Sequence, residues 1–379
     1  MKKIILAFDK FKGSASSRQL SEAARQAIQA WDPAVKVVSV PVADGGEGTV
    51  EAIASTMVHA RFVDIEVPGP LMAFPPVRTR YAIDEASATA VMEMSAASGL
   101  ALLQKSMRNV MLASTWGTGL MVRDAIDRGC HNIVMGLGGS ATHDCATGLL
   151  AALGFEFLDE KGRHVLPCGR NLGKIAQVDD TGVPDEVMQT HFTLFCDVKN
   201  PLCGPCGVAH VYAPQKGANI EQVELLERGS MSFSRFMPVE VPLFPGAGAA
   251  GGMGAGMKAF LHAELNLGVE AVLEFLQFDK QIAGADVIFT GEGKIDAQTV
   301  MGKAPAGVLK AGRRQGIPVI ALCGVLDADV EVEKMGFTAV FPTAPPHTPL
   351  EEAMKTDVCL QNLQNTLNHV LQKQWQNRT

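Results

Sequence analysis

The sequence predicts an α/β protein: a parallel sheet built from both ends of the chain, with a second, mixed α/β domain inserted between them. Three observations predict it. Apolar runs alternate with amphipathic helical segments at the start, a proline-rich stretch interrupts that alternation, and it returns near the C-terminus. At 379 residues the chain exceeds one average domain, so two are expected.

In chain order, the apolar run Lys3–Asp9 fits a buried strand, and Ser16 or Ser17 can cap the helix through "RQLSEAARQAIQAW". Val35–Pro41 reads as a second strand, and the loop "ADGGEGT" then leads into a helix near Glu47. The pattern breaks across "EVPGPLMAFPP", at Pro68–Pro76. Beyond it, "VRTRYAIDEASATAVMEMS" alternates and turns at Asp84–Ala88 like an antiparallel hairpin. Strands at Asn132–Gly136 and Phe192–Cys196 and a glycine–alanine tract at Gly246–Gly256 complete a mixed middle. From Asp286 the parallel grammar resumes, with strands Val287–Thr290, Pro318–Cys323 and Ala339–Pro342. Helices are expected over Ala304–Gln315 and, long and amphipathic, over Pro349–Gln372. Two opening strands alone make a poor sheet, so they join the closing ones. The expected domains are 1–67 plus 284–379, and an inserted 68–283, with the active site in the cleft between them.

Composition narrows the function. With 47% hydrophobic and 19% charged residues the chain suits a globular α/β enzyme and excludes disorder. A net charge of −7, with Lys and Arg scattered, argues against nucleic acid or an anionic membrane as partner. The opening "MKKIILAFDKFKG" reads as a first strand, not a signal peptide. Eight irregularly spaced cysteines read as reduced thiols, so the expected location is cytoplasmic. The expected assembly is a monomer or small homo-oligomer.

Five polar, glycine-rich stretches follow strands, where open α/β sheets place ligands. In "DKFKGS", Asp9 offers a carboxylate, and Lys10 and Lys12 offer cations for a phosphate or carboxylate, unless the stretch is only a solvated turn. In "ADGGEGT", Asp44 and Glu47 can hold Mg²⁺ or substrate hydroxyls; the plain alternative is an Asp-Gly turn with a glutamate complementing the helix dipole. The stretch "IVMGLGGSATHD" runs from strand to glycine loop to helix start, an arrangement that gathers backbone N–H groups around an anion. It lacks the lysine of a P-loop. Gly138 and Gly139 permit close approach of a ligand or merely close packing, and Ser140 and Thr142 add hydroxyls. Asp144 can cap the next helix or reach a metal, and His143 reads as a bystander. In "CDVKNPLCGPCG…APQKGA", Asp197 ends a strand, with Lys199 and Lys216 beyond it. Cys203 and Cys206 have no second pair at zinc spacing. In "TGEGKIDAQTVMGKAP", Glu292, Lys294, Asp296, Gln298, Thr299 and Lys303 crowd one loop, the strongest site signal in the chain. Carboxylates, cations and glycine loops together are what phosphoryl transfer requires. A nucleophile–histidine triad and a dinucleotide fingerprint find no support.

These stretches, together with "GAGAAGGMGAG" and the tail "IPVIALCG", resemble the class I glycerate kinase family in sequence and order, from Phe8 to Pro305 and beyond. The resemblance implies ATP- and Mg²⁺-dependent phosphorylation of D-glycerate to 2-phosphoglycerate. It also implies a Rossmann-like domain from both chain ends with a distinct inserted α/β domain. On this basis Asp296, then Asp197, is the expected general base, with Lys12 counted among the catalytic groups. Asp9, Asp44, Glu47 and Lys216 are expected on the substrate. Gly138, Gly139, Ser140, Thr142 and Lys294 are expected on ATP or phosphate, and Glu292 and Asp144 on the metal. The chain departs from the family where Asn-Asp-Gly-Gly becomes His143-Asp144-Cys145-Ala146, and where Lys10 replaces a serine. Two rival readings remain: a kinase for another small hydroxy acid or sugar acid, since "GLGGSA" is also like the "GLGSSA" of galactokinase–homoserine kinase loops, and a sugar-acid binding protein without turnover.

Overall fold

A computed structural model describes residues 2–43, 45, 46, 48–57, 59–296, 299, 303–327 and 332–375. Its strands are β1 (Lys3–Phe8), β2 (Lys36–Ser39), β3 (Arg61–Val67), β4 (Val77–Asp84), β5 (Thr89–Glu93) and β6 (Asn132–Gly136). There follow β7 (Glu156–Leu158), β8 (Gln177–Asp179), β9 (His191–Cys196), β10 (Glu264–Leu267), β11 (Val287–Ile295), β12 (Val319–Leu326) and β13 (Ala339–Pro342). The chain forms two compact units: Met1–Asp44, Glu51–Thr56 and Val269–Thr379 in the first, Gly45–Val50 and Met57–Gly268 in the second.

The first unit holds a five-stranded sheet in the order β13-β12-β11-β1-β2, parallel throughout. Strand β1 shows why it forms. Ile4, Leu6 and Phe8 pack into a core with Leu20, Ala24 and Ile28 of the helix Ser17–Trp31, and with Leu363 and Leu367 of the helix Thr356–Trp375. The alternate residues Ile5 and Ala7 pack into a second core with Val308, Ala311, Val319 and Ala321. Burial on both faces is what an apolar parallel strand requires. Ser16 caps its helix in a capping box with Gln19.

The second unit holds a six-stranded mixed sheet, β10-β9-β6-β5-β4-β3, and the small pair β7-β8. The expected hairpin is β4–β5; its turn is an Asx turn in which Asp84 Oδ1 accepts from the Ala86 N–H at 3.0 Å. Strands β5, β6, β9 and β10 run parallel, so the loops after β6 and β9 emerge at one edge.

The structure corrects four boundaries. Strand β3 pairs antiparallel with β4, which places Arg61–Val67 in the inserted unit. The helix Gly268–Phe275 buries Val269 and Leu273 in the first unit's core, so the inserted unit ends earlier than expected. Strand β11 continues past Thr290 to Ile295, because β12 extends alongside it and pairs Glu292 with Cys323 and Lys294 with Val325. The long C-terminal helix is two helices, Leu350–Ala353 and Thr356–Trp375; the Thr356 hydroxyl donates to the Ser14 carbonyl at 2.7 Å, at the start of the second. No helix among the described residues is long and apolar enough to cross a membrane.

Candidate active site

In the first unit, the carboxyl ends of β1, β11, β12 and β13 open into a cavity of about 730 Å³. The parallel register pairs Phe8 with Gly291, so the next residues, Asp9 and Glu292, reach neighbouring strand ends. Both are buried and both line the cavity. Lys10, Lys12, Lys294 and Lys303 line it as well. Glu292 Oε1 accepts from the Thr299 hydroxyl at 2.5 Å, and its Oε2 lies 3.5 Å from Lys303 Nζ. Lys303 also reaches Asp296 Oδ1 at 3.2 Å. The Thr299 hydroxyl in turn accepts from the Asp296 N–H at 3.1 Å. Burial raises the pKa of Glu292, opposed by the Thr299 hydroxyl and the Lys303 charge. Lys294 pairs with Asp327 at 2.7 Å, and Lys12 has no charged partner among the described residues. Thus Asp9, Lys12, Glu292, Lys294 and Lys303 meet at one cavity, and Asp296 is tied to it through Lys303.

In the second unit, the loop after β6 carries Gly138 to Asp144. Here the packing role of glycine is visible. A Cβ at Gly138 would lie 2.5 Å from the Gly46 Cα, and the Gly138 N–H donates to the Gly45 carbonyl at 3.1 Å. Gly138 therefore seats one loop on another, and its N–H is not available to an anion. Gly138→Ala is expected to destabilise the protein by about 1–3 kcal/mol, by analogy with other overpacked sites, and to lower its thermal midpoint. Gly139, at φ 77, is exposed on the loop.

Beneath the loop is a buried polar cluster. Lys216 Nζ donates to Ser140 Oγ at 2.7 Å and to the Thr142 carbonyl at 2.8 Å. Burial pushes its pKa down to about 7, partly offset by Asp144. Asp144 Oδ2 accepts from the Thr115 N–H at 2.7 Å, the Thr115 hydroxyl at 3.0 Å and the Gly148 N–H at 3.2 Å. His143 Nε2 lies 2.9 Å from Ser230 Oγ, and burial, with the Lys216 charge, pushes its pKa to about 3.

Several expected roles change with this geometry. Asp144 is fully buried with its donors inside the unit, so it holds the first turn of the helix Thr147–Ala152 and offers no surface to a metal. Thr142 is equally buried, its hydroxyl donating to the Ala250 carbonyl at 3.5 Å. Lys216 is also buried and acts through Ser140 and the Thr142 carbonyl. Asp197 is exposed directly after β9. Asp44, Glu47 and Gln298 lie outside the described residues. Among the described residues no group of three or more His, Cys, Asp or Glu side chains forms a metal cluster.

Sequence reasoning missed three residues. Glu93 Oε1 accepts from the N–H groups of Gly48 at 2.8 Å and Val50 at 3.1 Å, pinning the "ADGGEGT" loop. A glutamate closing a buried strand was the available signal. Thr115 and Ser230, which hold Asp144 and His143, are remote in sequence and gave none.

Residues 4–374 match the profile of the glycerate kinase family. A glycerate kinase from Halalkalibacterium halodurans is 41% identical over 360 residues, covering 94% of each chain. The glycerate 2-kinase of Escherichia coli is 37% identical over 359 residues, covering 93% of each. A crystal structure assigned as glycerate kinase 2 from Salmonella typhimurium LT2 matches with a TM-score of 0.86 at 36% identity, over 100% of this chain and 99% of that one.

Proposed function

Because the chain belongs to the glycerate kinase family, we propose that it transfers the γ-phosphoryl group of ATP to D-glycerate and releases 2-phosphoglycerate. The observation that carries this reading is the first-unit cavity, where two carboxylates and four lysines converge at the ends of parallel strands. Its volume suits a nucleotide, and glycerate, a three-carbon acid, would leave most of it empty.

The residues divide the work as phosphoryl transfer demands. Lys12, Lys294 and Lys303 offset charge on the phosphates. Lys303 is already oriented by Glu292 and Asp296, and Lys294 by Asp327, so little ordering remains on binding. Glu292 and Asp9 are hard oxygen donors on one wall, the kind that hold Mg²⁺ by one or two carboxylates beside a substrate's phosphates. That ion, when bound, neutralises charge on the phosphate oxygens. Asp296 takes the proton of the attacking hydroxyl, and Asp197 is the alternative base. In the second unit, Gly139 and Ser140, backed by the Lys216 charge, hold the anionic end of the acceptor or product. Asp44 and Glu47 are assigned to the glycerate hydroxyls. All eight cysteines are free thiols, which supports a reducing cytoplasm as the place of reaction.

The test is ADP release from purified protein with ATP, Mg²⁺ and D-glycerate, with the product identified by phosphorus NMR. The expected product is 2-phosphoglycerate. Appearance of 3-phosphoglycerate overturns the position of attack. ADP formation only with a different hydroxy acid overturns the acceptor, and glycerate binding without ADP overturns the kinase.

A further inference from the structure

We infer that the adenine ring is read by Asn362, in a neutral extension of the first-unit cavity. This rests on the assignment of that cavity to the nucleotide.

A second cavity of about 620 Å³ adjoins the first. Gly324, Val325, Thr343, Ala344 and Asn362 line both, so the two form one continuous groove within the unit. Its halves differ in chemistry. The first carries Asp9, Glu292 and the lysines. The second has no lysine, arginine or carboxylate among its described lining residues; Phe341, Pro342, Pro345 and Pro346 give it apolar walls. ATP is polarised in the same way, with an anionic triphosphate at one end and a flat, uncharged heteroaromatic ring at the other. A small anion such as glycerate gains nothing from a neutral, apolar annex. A purine gains both burial and a place for its polar edge.

That edge needs a donor and an acceptor side by side, which a carboxamide provides: its oxygen accepts from the exocyclic amine and its NH₂ donates to a ring nitrogen. Asn362 stands at the junction of the two halves, half-buried on the helix Thr356–Trp375. Its amide makes no hydrogen bond among the described residues. Of the other polar lining groups, the Thr343 hydroxyl donates to the Cys323 carbonyl at 3.1 Å, and Asn365 accepts from Gln361 at 3.1 Å. Thr348, Thr366 and His369 line only the second half, so Asn362 is the one carboxamide among the described residues that lines both.

The test compares ATP and GTP as phosphoryl donors in the intact protein, Asn362→Ala and Asn362→Asp, with glycerate saturating. The unmodified protein is expected to prefer ATP by roughly tenfold or more in kcat/KM. Asn362→Ala is expected to raise the KM for ATP by roughly tenfold, with kcat and the KM for glycerate unchanged. Asn362→Asp, an acceptor-only side chain, is expected to shift preference toward GTP, because guanine presents N–H donors on that edge. Equal use of ATP and GTP by the unmodified protein overturns the inference even if the variants do not fold. An unaltered KM for ATP in a folded Asn362→Ala also overturns it, leaving the kinase assignment standing. A raised KM for glycerate with that for ATP unchanged overturns both the inference and the placement of the nucleotide.

Discussion

Asp296→Asn is expected to lower kcat about 10²–10⁴-fold, the range a positioned general base contributes, and to leave ATP affinity within about twofold. Asparagine is isosteric, and its amide oxygen still accepts from Lys303, which sits 3.2 Å from Asp296 Oδ1. The backbone N–H of residue 296 keeps its bond to the Thr299 hydroxyl. The fold and the cavity lysines are therefore expected to persist, and what disappears is a basic oxygen. Single-turnover ADP formation with calorimetric ATP binding measures both halves of the expectation. Full turnover in Asp296→Asn, with loss in Asp197→Asn, transfers the role of base to Asp197. Recovery of Asp296→Asn by excess Mg²⁺ makes Asp296 a metal ligand instead.

The strands and hairpin that local pattern specifies were legible in the sequence. The run Ile4–Phe8 is apolar at every position because both faces of its sheet are covered, and Asp84 announces its own turn. The placing of polar glycine loops after strands was legible for the same reason: open parallel sheets bind ligands at their carboxyl ends. What pattern could not show is how far a strand runs once its side chains turn polar. Glu292 and Lys294 read as loop residues, yet they belong to β11 because β12 supplies backbone partners that no local feature announces. Nor does pattern reveal depth. Asp144 and Thr142 look like ligand groups in a glycine loop and are interior, held by Thr115 and Ala250. The departure from the family's two glycines has a physical reading only in the structure. Cys145 and Ala146 fall at φ 50 and 65, where side chains are strained and glycine is not. The strain is carried by a packed segment, in which the Gly251 carbonyl accepts from the Cys145 N–H at 3.1 Å.

Lys216 is the other place where one substitution is expected to have a large effect. Its ammonium sits under the glycine loop, and burial pushes its pKa to about 7, so charge there is in balance near neutrality. Two groups face it. Asp144 favours the charged form, and His143, itself pushed to about 3, stays neutral across the working range. In the proposed assignment, an anion on Gly139 and Ser140 draws the proton onto Lys216, so affinity for glycerate is expected to depend on the protonated fraction. kcat/KM for glycerate is expected to fall as pH rises above about 7, approaching tenfold per unit. Lys216→Met is expected to lower kcat/KM at pH 7 by about tenfold or more and to remove this limb. Stability moves with the opposite sign. The folded pKa lies below the ordinary lysine value of 10.5, so the unfolded chain binds the extra proton between about 7 and 10.5, and the native protein gains stability as pH rises through that window. Lys216→Met has no such gain. A pH series of urea midpoints and of kcat/KM on the two proteins reads both slopes; an alkaline limb that survives in Lys216→Met assigns the titration to another group and leaves Lys216 a purely structural amine.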